Sequence, residues 1–172
     1  MPARVSLQDM QQVVDAQASF DWAIWLPSVP GSSFNTRDFT FRCTATSIPA
    51  VTVESFDVEA HGLKFKYPGR RTWSMTQDVT MYETRDATTR TLMEAWLDFI
   101  RNIRDNTGNY KANYAVDAII NTYDGPGNIT ATVKLKNFFP LELGAASLDN
   151  QSSLLTYYCQ FRYDRTEPVT EG

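Results

Sequence analysis

The sequence predicts a mainly β protein, an antiparallel β sandwich or partial barrel with one α-helix packed against it. Three observations carry this expectation. At least six short β-forming segments are bounded by turn residues, two pairs of them read as hairpins, and only one stretch keeps a long apolar period of 3.6 residues. A chain of 172 residues with 42% hydrophobic and 13% aromatic content can bury one core, so a single domain over residues 20–165 is expected.

The elements follow in order. Ser6 reads as a helix N-cap with Asp9 in the first turn, and Leu7, Met10 and Val14 recur at helical spacing, so residues 1–19 are expected to form an arm or short helix. Phe20 to Leu26 alternates apolar residues and ends at Pro27, Pro30 and Gly31, which predicts a strand and then a loop. Phe39 to Ala45 is rich in β-formers and is expected to be a strand. Val51 to Tyr67 alternates around His61-Gly62, the clearest hairpin in the chain, and Pro68-Gly69 is expected to end it. Thr72 to Tyr82 then reads as one further strand.

Thr88 to Arg104 carries Leu92, Met93, Trp96, Leu97, Phe99, Ile100 and Ile103 as an apolar stripe, with Asp86 the best N-cap candidate. Tyr114 to Tyr123 and Asn128 to Asn137 predict a second hairpin across Asp124-Gly125-Pro126-Gly127. Leu154 to Tyr163 supplies a last strand, and residues 166–172 read as a loose polar tail.

Counting outward from His61-Gly62 pairs Asp57 with Lys66, Val58 with Phe65, Glu59 with Lys64 and Phe56 with Tyr67. Counting outward from the second turn pairs Ile120 with Ala131, Ala118 with Val133, Asp117 with Lys134 and Asn121 with Thr130. Each hairpin therefore has an apolar face and a charged or polar one. An ordinary hairpin with one wet face gives the same pattern, so the pairing alone does not choose a function.

Several function classes are disfavoured by composition. Sixteen Lys plus Arg against twenty Asp plus Glu, a net charge of −4, argue against tight non-specific phosphate binding. Cys43 and Cys159 form no CxxC pair and read as reduced core residues. The single histidine, His61, sits at a hairpin turn, and no Walker A loop, GxSxG or HExxH is present, so no catalytic, cofactor or metal site is expected. Arg70 and Arg71 could touch phosphate, but a turn-borne arginine pair reads more simply as solvated or inter-subunit. No segment has the ~18 apolar residues of a membrane span, and no secretory h-region appears near the start, so Asn128-Ile129-Thr130 reads as a chance glycosylation match.

Phe41-Arg42-Cys43-Thr44-Ala45-Thr46-Ser47-Ile48-Pro49-Ala50 resembles the entry to the first long hairpin of myovirus-type tail tube proteins, those of contractile-tailed bacteriophages. The resemblance continues in order through Gly62, Pro68-Gly69-Arg70-Arg71-Thr72-Trp73, Arg90 with Met93-Glu94-Ala95-Trp96, Leu135-Lys136-Asn137-Phe138-Phe139-Pro140, Leu143-Gly144 and Leu148-Asp149. It implies a non-enzymatic structural subunit whose two long hairpins join an inter-subunit β-barrel in a hexameric ring. It further implies that rings stack inside a contractile sheath as the conduit for DNA ejection. The implied partners are further copies of the chain, the tail sheath protein, baseplate and tail terminator proteins, a tape measure protein in the lumen and passing genomic DNA without specific binding. The implied location is the virion tail, after assembly in the host cytoplasm, with no membrane involved.

On that reading the polar faces would line the channel, and strand parity selects Asp57, Glu59, Lys64, Lys66, Asp117, Asn121, Thr130, Thr132, Lys134 and Lys136. The apolar faces would then rest on the subunit's own sandwich and helix. Two alternatives stay open within the fold, the tube protein of a type VI secretion or related contractile injection system and a baseplate subunit that starts a tube. A monomeric β-sandwich binding module is the alternative from another class.

Overall fold

The computed structural model describes residues 21–148 and 153–168, so the arm expected over residues 1–19 lies outside the described residues. The described elements are β1 (Trp22–Trp25), α1 (Thr36–Arg42), β2 (Cys43–Thr46), β3 (Val51–Ala60), β4 (Leu63–Trp73), β5 (Thr76–Tyr82), α2 (Thr88–Ile100), α3 (Lys111–Tyr114), β6 (Val116–Tyr123), β7 (Ile129–Leu143), β8 (Thr156–Arg162) and β9 (Arg165–Pro168). Seven strands join in one sheet in the order β1-β6-β7-β8-β5-β2, with β9 added on β7, while β3 and β4 form a separate two-stranded sheet.

β7 makes the larger sheet into a partial barrel. Its first part, as far as Phe138, pairs with β6, and its last part, Phe139 to Leu143, pairs with β8. Between them Asn137 takes a left-handed φ of 55°, and bulges break the register on both sides, which lets the strand turn from one half of the sheet to the other. Both halves then close on one core. Ile24, Ala118, Ile120 and Leu135 come from one half, Val79, Met81, Cys159 and Phe161 from the other, and Leu92, Met93 and Trp96 from α2. Phe138 stacks on Phe161 with centroids 4.4 Å apart at the junction.

Local chemistry overrides β-propensity at Phe39. The segment Phe39–Ala45, expected to be a strand, is instead helix as far as Arg42 and strand only from Cys43. The Asn35 side chain accepts the Arg37 N–H at 3.0 Å, Asp38 sits in the first turn and Arg42 in the last, which suits the helix dipole at both ends. Phe39 is fully buried and meets Phe161 edge-on at 6.1 Å, so packing rewards the helix.

Four boundaries also move. Pro68-Gly69 does not end the first hairpin, because a bulge absorbs it: Val53 pairs with Arg71 and Ser55 with Pro68. Proline is tolerated there because this ribbon has no third strand on the β4 side, and a Cβ on Gly69 would come within 3.2 Å of the Glu54 carbonyl. The strand expected over Thr72–Tyr82 is broken at Ser74-Met75, where Met75 has a φ of 56°. α2 stops at Ile100, four residues short of the expected end, which leaves Ile103 85% exposed and outside the apolar stripe. Thr166 to Pro168, expected in the loose tail, belong to β9.

The N-cap of α2 is not Asp86. Ala87 occupies the cap position with no side-chain bond, and Glu83 does the capping from outside the helix. Its carboxylate accepts the N–H groups of Thr84 (2.8 Å), Thr89 (2.9 Å) and Arg90 (3.0 Å). Burial alone would raise the Glu83 carboxyl, but these donors outweigh it and hold its pKa below the usual value. A depressed carboxylate stabilises the fold above the unfolded-state pKa and loses that contribution as pH falls through the folded one. Glu83→Gln is therefore expected to cost about 1 kcal/mol at pH 7, the usual worth of a cap. The gap between variant and parent should close as melts are repeated below about pH 4.3, the ordinary glutamate value. Equal melting temperatures at pH 7 would show that the cap is dispensable.

Candidate functional site

The β3–β4 hairpin stands away from the core. Every residue of β3 and all of β4 up to Arg71 are exposed. Its turn is as expected, with His61 (φ 51°) and Gly62 (φ 77°) both left-handed, the geometry that matches the twist of the flanking strands. The counted register is also correct, pairing Phe56 with Tyr67, Asp57 with Lys66, Val58 with Phe65 and Glu59 with Lys64.

The expectation that both apolar faces rest on the subunit's own body fails for this hairpin. Phe56 is 53% exposed, Val58 40%, Phe65 45% and Tyr67 49%, and the Phe56 and Tyr67 rings stack on each other at 6.0 Å. Alternation states which side chains share a face but not which body covers it. A contiguous apolar face of this kind on a folded subunit marks an interaction surface. On the opposite face, the ion pair formed is the diagonal one, Lys64 Nζ to Asp57 Oδ2 at 3.0 Å, rather than either directly opposed pair.

The second hairpin, β6–β7, is built into the sheet. Ala118, Ile120 and Leu135 are buried in the subunit core, as the parity expected. The register is two residues from the counted one: Ile120 pairs with Val133, Ala118 with Leu135 and Asn121 with Thr132. One residue comes from the turn, where Asp124 and Asn128 close a longer loop, with Asp124 N–H donating to Asn128 O at 2.9 Å. The other comes from a bulge at Thr130, between the pairs Tyr123–Ile129 and Thr122–Ala131. A shift of two keeps the faces unchanged, which is why the polar residues beyond the bulge at Thr130 still share one.

Asp117, Asn121, Thr132, Lys134 and Lys136 accordingly meet on one face. Asp117 Oδ2 lies 2.7 Å from Lys136 Nζ and 3.3 Å from Lys134 Nζ, and the Thr132 hydroxyl donates to Asn121 Oδ1 at 3.0 Å. Burial would raise the Asp117 carboxyl, but Lys136, the Asn137 N–H and Lys134 bring it below its usual value. Thr130 leaves this group, its hydroxyl lying 2.9 Å from that of Thr122. The ten selected residues thus fall into two sets on separate sheets, Asp57, Glu59, Lys64 and Lys66 on one and the β6–β7 residues on the other.

Gln77 is a structural tie that hydrophobic patterning alone does not pick out. It is buried, in phase with Val79 and Met81, and its Nε2 donates to Thr46 Oγ1 at 2.7 Å and to the Ser47 carbonyl at 2.5 Å. That bond pair fastens the chain just before it enters β3. A polar residue in the apolar phase of a strand was the available signal. Cys43 and Cys159 are both free, and burial pushes the Cys159 thiol up to about 12. Among the described residues no group of three or more His, Cys, Asp or Glu side chains is placed to hold a metal ion.

A family model described as phage tail tube protein matches residues 5–167. The chain is 30% identical over 126 residues to tail tube protein gp19 of Enterobacteria phage T4, covering 70% of this chain and 75% of that protein. In fold it is similar to a chain of the PVC extracellular contractile injection system sheath-tube complex in its extended state, with a TM-score of 0.63 at 16% identity, covering 96% of this chain and 99% of that one. It is also similar to a type six secretion system protein, with a TM-score of 0.52 at 12% identity over 86% of this chain and 82% of that one.

Proposed function

The chain belongs to the phage tail tube protein family, and from that premise we propose that it closes into hexameric rings that stack as a hollow tube within a contractile sheath. The observation that carries this reading is the apolar face of β3–β4, which a folded subunit leaves in water and a neighbouring copy would cover. Ring closure also answers the open edges of that two-stranded ribbon, since a closed barrel has none. The role is structural and non-enzymatic, and it needs no cofactor. The 30% identity to a phage protein favours a phage tail over the injection-system reading, because the injection-system likenesses carry the fold alone.

In this reading the subunit is assembled in the host cytoplasm and ends in the virion tail. Sheath protein surrounds it, baseplate and terminator proteins bound its two ends, and tape measure protein and then genomic DNA occupy the lumen. Negative-stain electron microscopy of the purified protein tests it, with rings or hollow tubes expected. A species that stays monomeric at every concentration, with or without a baseplate seed, would return the binding-module reading.

We assign the lumen to the polar faces, so that Asp57 compensates Lys64 and Asp117 compensates Lys134 and Lys136 where DNA passes. Asp57→Asn, Glu59→Gln and Asp117→Asn together should leave tubes intact, because the Asp57 pair is exposed and the Asp117 pairs are only partly buried, and pairs near the surface contribute little to stability. Ejection should slow, and its salt dependence should steepen by roughly 0.9 in the log–log slope for each lysine that gains a phosphate. Ejection kinetics unchanged at low salt would remove the compensating role.

A further inference from the structure

The edge of β7 is covered by a strand with little holding it. β9 pairs four residues with β7, Lys136 with Arg165 through Val133 with Pro168. Arg165 is exposed, Thr166 and Glu167 are half-buried, and none of the three belongs to the apolar core. Beyond the main-chain ladder, the ion pair reaching β7 is Lys136 to Glu167 at 3.9 Å, while Arg165 to Glu167 at 2.7 Å stays within β9 itself.

The chain immediately before β9 is held differently. Asp164 accepts Lys111 Nζ at 2.6 and 2.7 Å and Asn137 Nδ2 at 2.6 Å, and its own N–H donates to the Lys136 carbonyl at 2.9 Å. The backbone is thus tied down up to Asp164 and only lightly paired after it. Beneath β9 lies the longest strand of the described residues, the fifteen-residue β7. The β3–β4 hairpin, with strands of ten and eleven residues and no third strand, offers edges long enough to pair the part of β7, Ile129 to Phe138, that β8 does not hold.

We infer that β9 is a displaceable cap over the β7 edge, and that the strand replacing it is an edge of the β3–β4 hairpin from a second copy of this chain. The exchange conserves backbone pairing, since each donor and acceptor that β9 releases is taken up by the incoming strand, as in β-strand addition. It is driven forward because a strand of ten or eleven residues can pair along more of β7 than four residues do, and because the hairpin's apolar face leaves water in the same step. While β9 is in place the free subunit presents no long β7 edge to aberrant partners. The inference rests on the tube reading above.

The test locks the cap reversibly. Lys134 and Glu167 are cross-strand partners, so Lys134→Cys with Glu167→Cys places two thiols at a position where an antiparallel pair can be bridged. Oxidised protein should stay monomeric, or assemble at least about tenfold more slowly than the same protein after reduction, a difference of about 1.4 kcal/mol or more in the barrier. A chain ending at Asp164 should assemble with a shorter lag and at a lower concentration than the parent, with circular dichroism confirming its fold. Equal rates in oxidised and reduced protein would overturn the cap. A truncated chain that fails to fold would overturn it too, since β9 would then be an integral strand. Failure of the parent itself to form rings would instead overturn the tube reading.

Discussion

A subunit carrying Phe56→Ser, Val58→Thr and Phe65→Ser together should remain folded and monomeric under conditions in which the parent builds rings. In the free subunit these side chains are 53%, 40% and 45% exposed, and the hairpin contributes no residue to the apolar core beyond Trp73 at its root. Polar substitution there removes little that the monomer uses, and surface changes of this kind usually shift stability by within about 0.5 kcal/mol. In a ring the same side chains would be covered by a neighbour, and since about half of each is already out of water, covering the rest is worth roughly half of the ~1.5–3 kcal/mol of full burial. Three such losses recur at every subunit contact of a closed ring, so assembly should fail by orders of magnitude rather than weaken. Thermal melts within a few degrees of the parent, combined with sizing by light scattering, check both halves of the statement. Normal tubes from the triple variant would show that the hairpin face is not an assembly surface.

What the sequence disclosed here is mostly what depends on periodicity. Alternation around His61-Gly62 was enough to place Asp57 opposite Lys66 and Val58 opposite Phe65, and the helical stripe named Leu92, Met93 and Trp96 as core. Errors cluster where a local interaction outranks the pattern. Asn35 capping and burial of Phe39 turned a β-rich segment into a helix, and three N–H donors drew the cap of α2 from Asp86 to Glu83. The two-residue register error at Thr130 came from an extended turn plus a bulge, neither of which has a composition signature beyond Gly127. The exposed state of the first hairpin was hidden for a different reason. Val51 to Tyr67 looks the same in sequence whether its apolar face meets its own core or another chain's, and only the packed structure separates the two.

The second large effect is expected at Trp96, and it should look unlike the first. Trp96 is fully buried in α2, lies 6.0 Å from the Phe161 ring, and donates its indole N–H to the Tyr114 carbonyl at 3.0 Å. Tyr114 is the last residue of α3, two residues before the start of β6, so this one side chain joins the helix to both halves of the bent sheet. Trp96→Ala removes the ring contact, opens a cavity and leaves a part-buried carbonyl without its donor, at a cost of about 3–5 kcal/mol. For a domain of this size that corresponds to a fall of roughly 10 °C in melting temperature. Trp96→Phe restores most of the volume but not the donor, and should cost less. The assembly phenotype separates this variant from the hairpin triple. Below its own melting temperature the Trp96→Ala subunit keeps the β3–β4 face and should still build rings, whereas above it rings and secondary structure should be lost together. A melting temperature within about 2 °C of the parent, less than 1 kcal/mol at this chain length, would show that the core collapses onto the gap and that the helix does not depend on this side chain.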